Sequence, residues 1–470
     1  MLKSGALRLD RGILVPCGWA LTVTCALGIS FSTVAWPLGD VYPNLHRASS
    51  LSWRETFVAA FERGVEYRPL LTMMTKLAYE VGGLQLWVYQ LLVLVQLFAV
   101  LVALVVLLRP HGRWRMLAAC FAVTCALGLH SSRSLFLFVP INQYTPALFL
   151  LLVAAILAVD DRPRALDWAY FPITLAALFF LESGVLIFPL MAVLYVLKAP
   201  GANPRALACT IAGTLVYVAI RLSLTSEPLP LVGYAESGLG FADVERGRLR
   251  EIFEHAPWLF WSYNMVATFL SVVVGEPNAG KYRFIESQLH GNTPAWMWFR
   301  IGLTLATTAV AIIAVRTTST GRDARVVAVG LVMLVCGSAL GYLYTRERIA
   351  LSAGFGYVIL VYCGSSFLLE RAYATGWRRA AALIIVASLG GGWLLRNVEM
   401  YLHLRDTAWE FYLEWTSRYE TVRGSRPETE LLTELRRAAL ARRPDDPTRD
   451  PAWSYSVFER EYARTGDGDQ

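Results

Sequence analysis

The chain must bury one apolar run after another, and only a lipid environment lets it do so. A bilayer core of ~30 Å is spanned by ~20 apolar residues in a helix. Clear runs of that kind cover 13–35, 85–108, 296–315, 326–343, 349–369 and 379–396. Tighter ones cover 115–131, 144–159, 168–181, 184–198 and 206–223. Backbone amides in lipid are satisfied inside helices, so the expected fold class is an all-α integral membrane protein with about eleven transmembrane helices. Composition agrees. Of 470 residues, 56% are hydrophobic and 17% charged, against about 45–50% and about 25% for a soluble domain. Disordered chains, collagens and disulfide scaffolds are excluded on the same grounds.

Loop charge sets the expected topology. With eleven spans and an N-terminus in the cytoplasm, six short segments fall inside: 1–12, 109–115, 160–167, 198–205, 316–325 and 370–379. They carry 16 Lys/Arg in 55 residues, whereas loops 36–84 and 224–295 carry five each in 49 and 72 residues. Counting 258–275 as a further span would place the basic segments after it outside, so it is read as interfacial or re-entrant. The apolar run at 13–35 exceeds a signal-peptide core of about 7–15 residues and is read as an uncleaved first helix. The expected organisation is a polytopic domain over 1–396, with outside loops 36–84 and 224–295. An outside tail over 397–470 begins with an amphipathic helix bearing Tyr401, Leu404, Trp409, Tyr412 and Trp415.

Several chemistries drop out. The seven cysteines lie in apolar stretches with no CxxC and read as small buried hydrophobes. The net charge of +7 comes with no basic stripe interleaved with aromatics, so no nucleic-acid partner is expected. GEPNAGKY at 275–282 lacks the Ser/Thr of a P-loop, because Tyr282 stands there. No GxSxG or HExxH occurs, and no residue is assigned to a metal.

The candidate chemistry gathers at the outer ends of spans. Asp40 follows Gly39 where the chain leaves the first span. It reads either as a partly desolvated general base or as a turn residue. Ser52-Trp53-Arg54-Glu55 is a capping box that opens a helix with Trp53, Phe57 and Phe61 on one face, expected to lie flat on the bilayer. Glu66, Tyr67, Arg68 and Pro69 follow. Arg68 reads as a phosphate ligand or as a residue snorkelling to the headgroups; Pro69 suits a first helical turn. Asn142, Gln143 and Tyr144 offer hydrogen bonds suited to a sugar. Glu182 breaks an otherwise apolar run from 171 to 197, at a cost on the order of 3 kcal/mol on insertion scales. The run is one broken helix or two helices turning at Glu182-Ser183-Gly184. Arg346 and Arg348 could hold a lipid phosphate with Glu347 orienting them, or form a solvated turn.

In this order, an acid after the first span, YRPL opening the next helix, FLESGVLIFPL at 180–190 and Arg346-Glu347-Arg348 leading to Gly354 resemble the GT-C superfamily of membrane glycosyltransferases. The similarity is closest to protein O-mannosyltransferase-like members, including the transmembrane–TPR group, and covers about residues 13–370. The chain departs from them where Val41 replaces a second acid, Leu181 replaces a lysine, and the tail shows no TPR repeat. The resemblance implies a GT-C-like core and an active site on the outer face. It also implies a polyprenyl-phosphate-linked sugar donor and an acceptor that is a glycan, lipid or protein. Asp40 would be the catalytic acid or base. Arg68, Arg346 and Arg348 would hold the donor phosphate. Glu66, Tyr67, Asn142, Gln143, Tyr144, Glu182 and Glu347 would support the substrates. Transfer would proceed with inversion. Some members use a divalent metal, for which a single acid gives weak support. Alternatives are a polysaccharide polymerase or ligase, a lipid or solute transporter, and an inactive scaffold. The Arg/Ala-rich composition fits a bacterial inner membrane.

Overall fold

A computed structural model describes residues 11–31, 48, 51–62, 67–83, 86–133, 135, 143–224, 246–275, 283–318, 321–343, 345, 349–371 and 376–423. Among these the chain is helical, with no strand. The helices are α1 (Arg11–Phe31), α2 (Trp53–Glu62), α3 (Pro69–Gly82), α4 (Leu86–Leu108), α5 (Arg113–Gly128), α6 (Tyr144–Val159), α7 (Tyr170–Phe180), α8 (Ile187–Val196) and α9 (Pro204–Leu224). They continue with α10 (Arg246–Phe253), α11 (Pro257–Val273), α12 (Arg283–Leu289), α13 (Ala295–Thr317), α14 (Gly321–Ala339), α15 (Leu351–Arg371) and α16 (Gly376–Arg423). Six of them, α4, α9, α13, α14 (extended by a 3-10 turn to Leu343), α15 and the first part of α16, are long and apolar enough to cross a membrane. The chain is thus a helical protein of multi-pass membrane character.

Helix α15 is the centre of the bundle and is buried along almost its whole length. It packs closely against α5, α13 and α14. Two glycines permit this. A Cβ on Gly356 would strike the backbone of Leu334 on α14, and one on Gly364 the carbonyl of Val310 on α13. Small residues at helix crossings let backbones approach, which is how helices associate without a hydrophobic driving force in lipid.

The helices alternate in direction between two ends. At one end Arg115 at the start of α5 bonds Asp323 and Glu370. There Arg322 bonds Asp160 and the Leu107 carbonyl, and Arg162 reaches Asp167 and the carbonyls of Leu157 and Gly201. Gly12 at the start of α1 abuts Pro110. All six segments read as inside contribute residues here, so one end of the bundle gathers the basic loops. At the other end lie the starts of α3 and α6 and the last turn of α9, joined by the contacts described below.

The stretch around Glu182 resolves as two helices. α7 ends at Phe180, a 3-10 turn spans Glu182–Leu186, and α8 begins at Ile187. Gly184 sits against the backbone of Ala177 and Leu178, with no room for a Cβ, so the turn is tight. α8 returns to the basic end, where the Gly201 amide bonds the Ala158 carbonyl.

α11 goes only partway. Its Asn264 donates to the Tyr342 carbonyl at the outer end of α14 (3.0 Å). Its last turn meets α13 near the middle of that helix, where Thr308 Oγ1 donates to the Val273 carbonyl (2.6 Å). Gly275, with φ of 78°, closes on Thr304. By Phe284 the chain is back beside Trp298, near the start of α13. The middle of α11 and the chain at Phe284 thus lie toward the same end of the bundle. α16 differs from expectation in running unbroken through residue 396 to Arg423, ~72 Å at 1.5 Å per residue. Side chains beyond residue 402, and the tail from 424, lie outside the described residues.

Single cysteines placed at Arg164 and at Leu402 in a cysteine-free background should label from opposite faces of sealed vesicles. Labelling from one face would show that α11 crosses.

Candidate functional site

The polar focus of the second end is built from four elements. Arg68 is the N-cap of α3 and Pro69 its first residue, a position where proline's missing N–H costs no hydrogen bond. Arg68 Nη1 donates to Gln143 Oε1 at 2.9 Å, just before α6. Its Nη2 reaches Glu182 Oε2 at 3.3 Å, in the turn between α7 and α8. The other carboxylate oxygen of Glu182 meets Arg221 Nη1 of α9 at 3.4 Å. The same nitrogen donates to the Tyr217 hydroxyl one turn earlier, at 2.9 Å. Two guanidiniums thus share one carboxylate. Its members are half-buried rather than sealed: Arg68, Arg221 and Glu182 expose 18%, 17% and 35% of their side chains.

Behind the ions stands an aromatic wall. Tyr67 is fully buried, with ring centroids 6.0 Å from Phe179, 5.9 Å from Tyr217 and 6.0 Å from Phe61. Its hydroxyl has no hydrogen-bond partner among the described residues. Burial, with the neighbouring Tyr217 second, pushes the Tyr67 phenol up to about 12, so it stays protonated at neutral pH and acts there as a donor, not a base. Tyr342 closes the far side, within electrostatic range of Arg221 and Glu182, and its ring meets Trp261 of α11 edge-on at 6.1 Å.

The capping box forms as the sequence dictates. The Ser52 amide donates to Glu55 Oε2 (2.8 Å), and the Glu55 amide to Ser52 Oγ (3.2 Å), which holds the Glu55 carboxyl below its usual range. Trp53 and Phe57 are exposed along α2. Phe61 shares its face with Phe57, ring centroids 4.9 Å apart, and also reaches Tyr67 and Phe179. α2 is thereby pinned to the residue next to Arg68.

The structure brings together Tyr67, Arg68, Gln143 and Glu182 from the sequence candidates. The snorkelling alternative for Arg68 is overturned, because its guanidinium is held by a carboxylate and an amide. Tyr144 points into the helical core instead. Asp40, Glu66, Asn142, Arg346, Glu347 and Arg348 lie outside the described residues. Sequence reasoning missed Arg221 and Tyr217. The available signal was an arginine at the outer end of span 206–223, against the inside bias of the other basic residues, with a tyrosine one turn before it.

Among the described residues the cluster holds one carboxylate, Glu182, and both of its oxygens face guanidiniums rather than an open metal position. No group of three His, Cys, Asp or Glu that could hold a metal occurs among the described residues. No known family, curated protein or solved structure matches the chain.

Two outcomes follow. Tyr67 has a raised phenol pKa in the folded state, so its contribution to stability is complete below about pH 10 and fades as pH rises toward about 12. Tyr67→Phe should shrink the fall in melting temperature between pH 9 and pH 11; an unchanged fall would contradict the buried phenol. A double-mutant cycle of Arg68→Ala and Glu182→Ala should give a coupling of about 1 kcal/mol in thermal stability, modest because the pair is part-exposed. Additive effects would mean that the ion pair does not form.

Proposed function

We propose that the chain is a membrane glycosyltransferase that moves a sugar from a polyprenyl-phosphate-linked donor to an acceptor at the outer face of the membrane. The observation that carries this reading is the Arg68–Glu182–Arg221 cluster. The arginine of YRPL and the acid of FLESG, 114 positions apart, share one ion cluster at a helix end, with a second arginine on the same acid. Arginine forks suit the oxygens of a sugar-linked lipid phosphodiester. A donor anchored by a long lipid tail also calls for a site at a bilayer surface.

In this reading eleven crossings place the cluster outside and the N-terminus in the cytoplasm of a bacterial inner membrane. The acceptor hydroxyl gives its proton to Asp40 as its oxygen attacks the anomeric carbon. The bond from that carbon to the phosphate oxygen breaks, with inversion. The extra charge on the departing phosphate falls to Arg68 and Arg221, which are worth most where water is scarce. Tyr67 and Gln143 add donors around the same point. The transporter alternative is disfavoured by the opposite end, where Arg115, Arg162 and Arg322 tie several helices together and would have to part for alternating access.

The experiment compares a deletion strain rescued by wild type with one rescued by Asp40→Asn, read by mass spectrometry of envelope glycans, glycolipids and glycoproteins. Wild type should restore a hexose-sized unit that Asp40→Asn does not, with both proteins at equal levels. Identical spectra from the two rescues would overturn the proposal.

A further inference from the structure

A second cationic cluster lies away from the first, at the seam of α13 and α16. Arg300 sits in the second turn of α13 and grips Glu399 of α16 through two bonds, Nε to Oε2 at 3.0 Å and Nη2 to Oε1. Its guanidinium lies 4.4 Å from the centre of the Trp296 ring. One turn deeper, Arg396 is 3% exposed. Its Nη1 donates to Thr304 Oγ1 at 2.8 Å, and its guanidinium rests 4.8 Å from the centre of the Trp393 ring. Among the described residues Arg396 makes no ion pair with a carboxylate. Its neighbours are Arg300, Glu399, Cys125 and Tyr357, of which Glu399 alone is anionic, and Arg300 already holds it.

The protein therefore supplies two positive charges and one negative charge in a lipid-embedded stretch. An uncompensated arginine at such depth costs several kcal/mol. The end of α11 offsets part of this. Gly275 closes on Thr304, so the last carbonyls of α11 bring the partial negative charge of a helix C-terminus, equivalent to roughly half a unit, to the same place. The remaining charge needs an anion from outside. The surroundings say of what kind. Trp296, Trp298 and Phe299 on α13, with Leu395 and Val398 on α16, are exposed. Tryptophans at a helix start mark the headgroup level, so Arg300, 13% exposed, lies among groups that face lipid rather than bulk water.

We propose that Arg300 and Arg396 bind the phosphate of an anionic glycerophospholipid as a resident counter-ion at the α13–α16 seam. Basic pockets between membrane helices recognise headgroups in this way, at about 1 kcal/mol per arginine. Glu399 competes with that phosphate for Arg300, which gives the site a signature that a purely structural salt bridge lacks.

The test is native mass spectrometry of the purified full chain after exchange into detergent, with phosphatidylglycerol or phosphatidylcholine added. Wild type should retain one phosphatidylglycerol in preference to phosphatidylcholine. Arg300→Gln should cut that occupancy about fivefold, the equivalent of ~1 kcal/mol. Glu399→Gln should raise it, because Arg300 is released. Arg396→Gln should abolish it, and if that variant does not fold the other two still decide the matter. Equal retention of the two lipids, or occupancy unchanged or lowered in Glu399→Gln, would overturn the proposal. So would displacement of the lipid by millimolar inorganic phosphate, which would point to a free-anion site.

Discussion

Everything at the outer end of this bundle depends on one carboxylate, Glu182, held between two arginines. An acid inside an apolar run is costly in a membrane, and the chain meets that cost by turning there. The turn puts Glu182 at a helix end, where Arg68 and Arg221 approach from opposite sides. Three connections far apart in sequence, before α3, between α7 and α8 and at the end of α9, are thereby tied at one point. Removing the acid would leave two like charges facing each other; removing either arginine would leave the acid poorly paired. The fully buried Tyr67 fixes the backbone next to Arg68 through its aromatic neighbours, and its hydroxyl has no hydrogen-bond partner among the described residues.

The two ends of the bundle are built differently, and the difference has functional weight. The basic end pairs its arginines bidentately with Asp160, Asp323 and Glu370 and with helix-terminal carbonyls. Those groups satisfy orphan carbonyls and lock helices α4, α5, α6, α14 and α15 together. The other end gathers Arg68, Glu182 and Arg221 in one cluster, beside a Tyr67 hydroxyl with no hydrogen-bond partner among the described residues.

Much of this was legible in the sequence. Each of the eleven apolar runs corresponds to a helix, because a chain of this hydropathy has no other way to satisfy its backbone. The capping box at Ser52 and the proline at position 69 formed where local chemistry required. The Gly184 turn followed from the break at Glu182. Arg221 stood out only by its place against the charge bias; its partner was not legible, since an arginine in the last turn of an apolar helix has the same local sequence whether it meets headgroups or a carboxylate. The unbroken course of α16 was hidden as well. A change from apolar to charged residues marks where lipid ends, which need not be where a helix ends.

The claim at the centre of the account is that the Arg68–Glu182–Arg221 cluster receives a lipid phosphate. Its most direct test is the affinity of the purified protein, in nanodiscs of neutral lipid, for a polyprenyl monophosphate, the group left after sugar transfer. The account predicts saturable binding that weakens about tenfold, ~1.4 kcal/mol, in Arg68→Ala and again in Arg221→Ala, both melting near the wild-type temperature. Binding unchanged within twofold in both well-folded variants would contradict it.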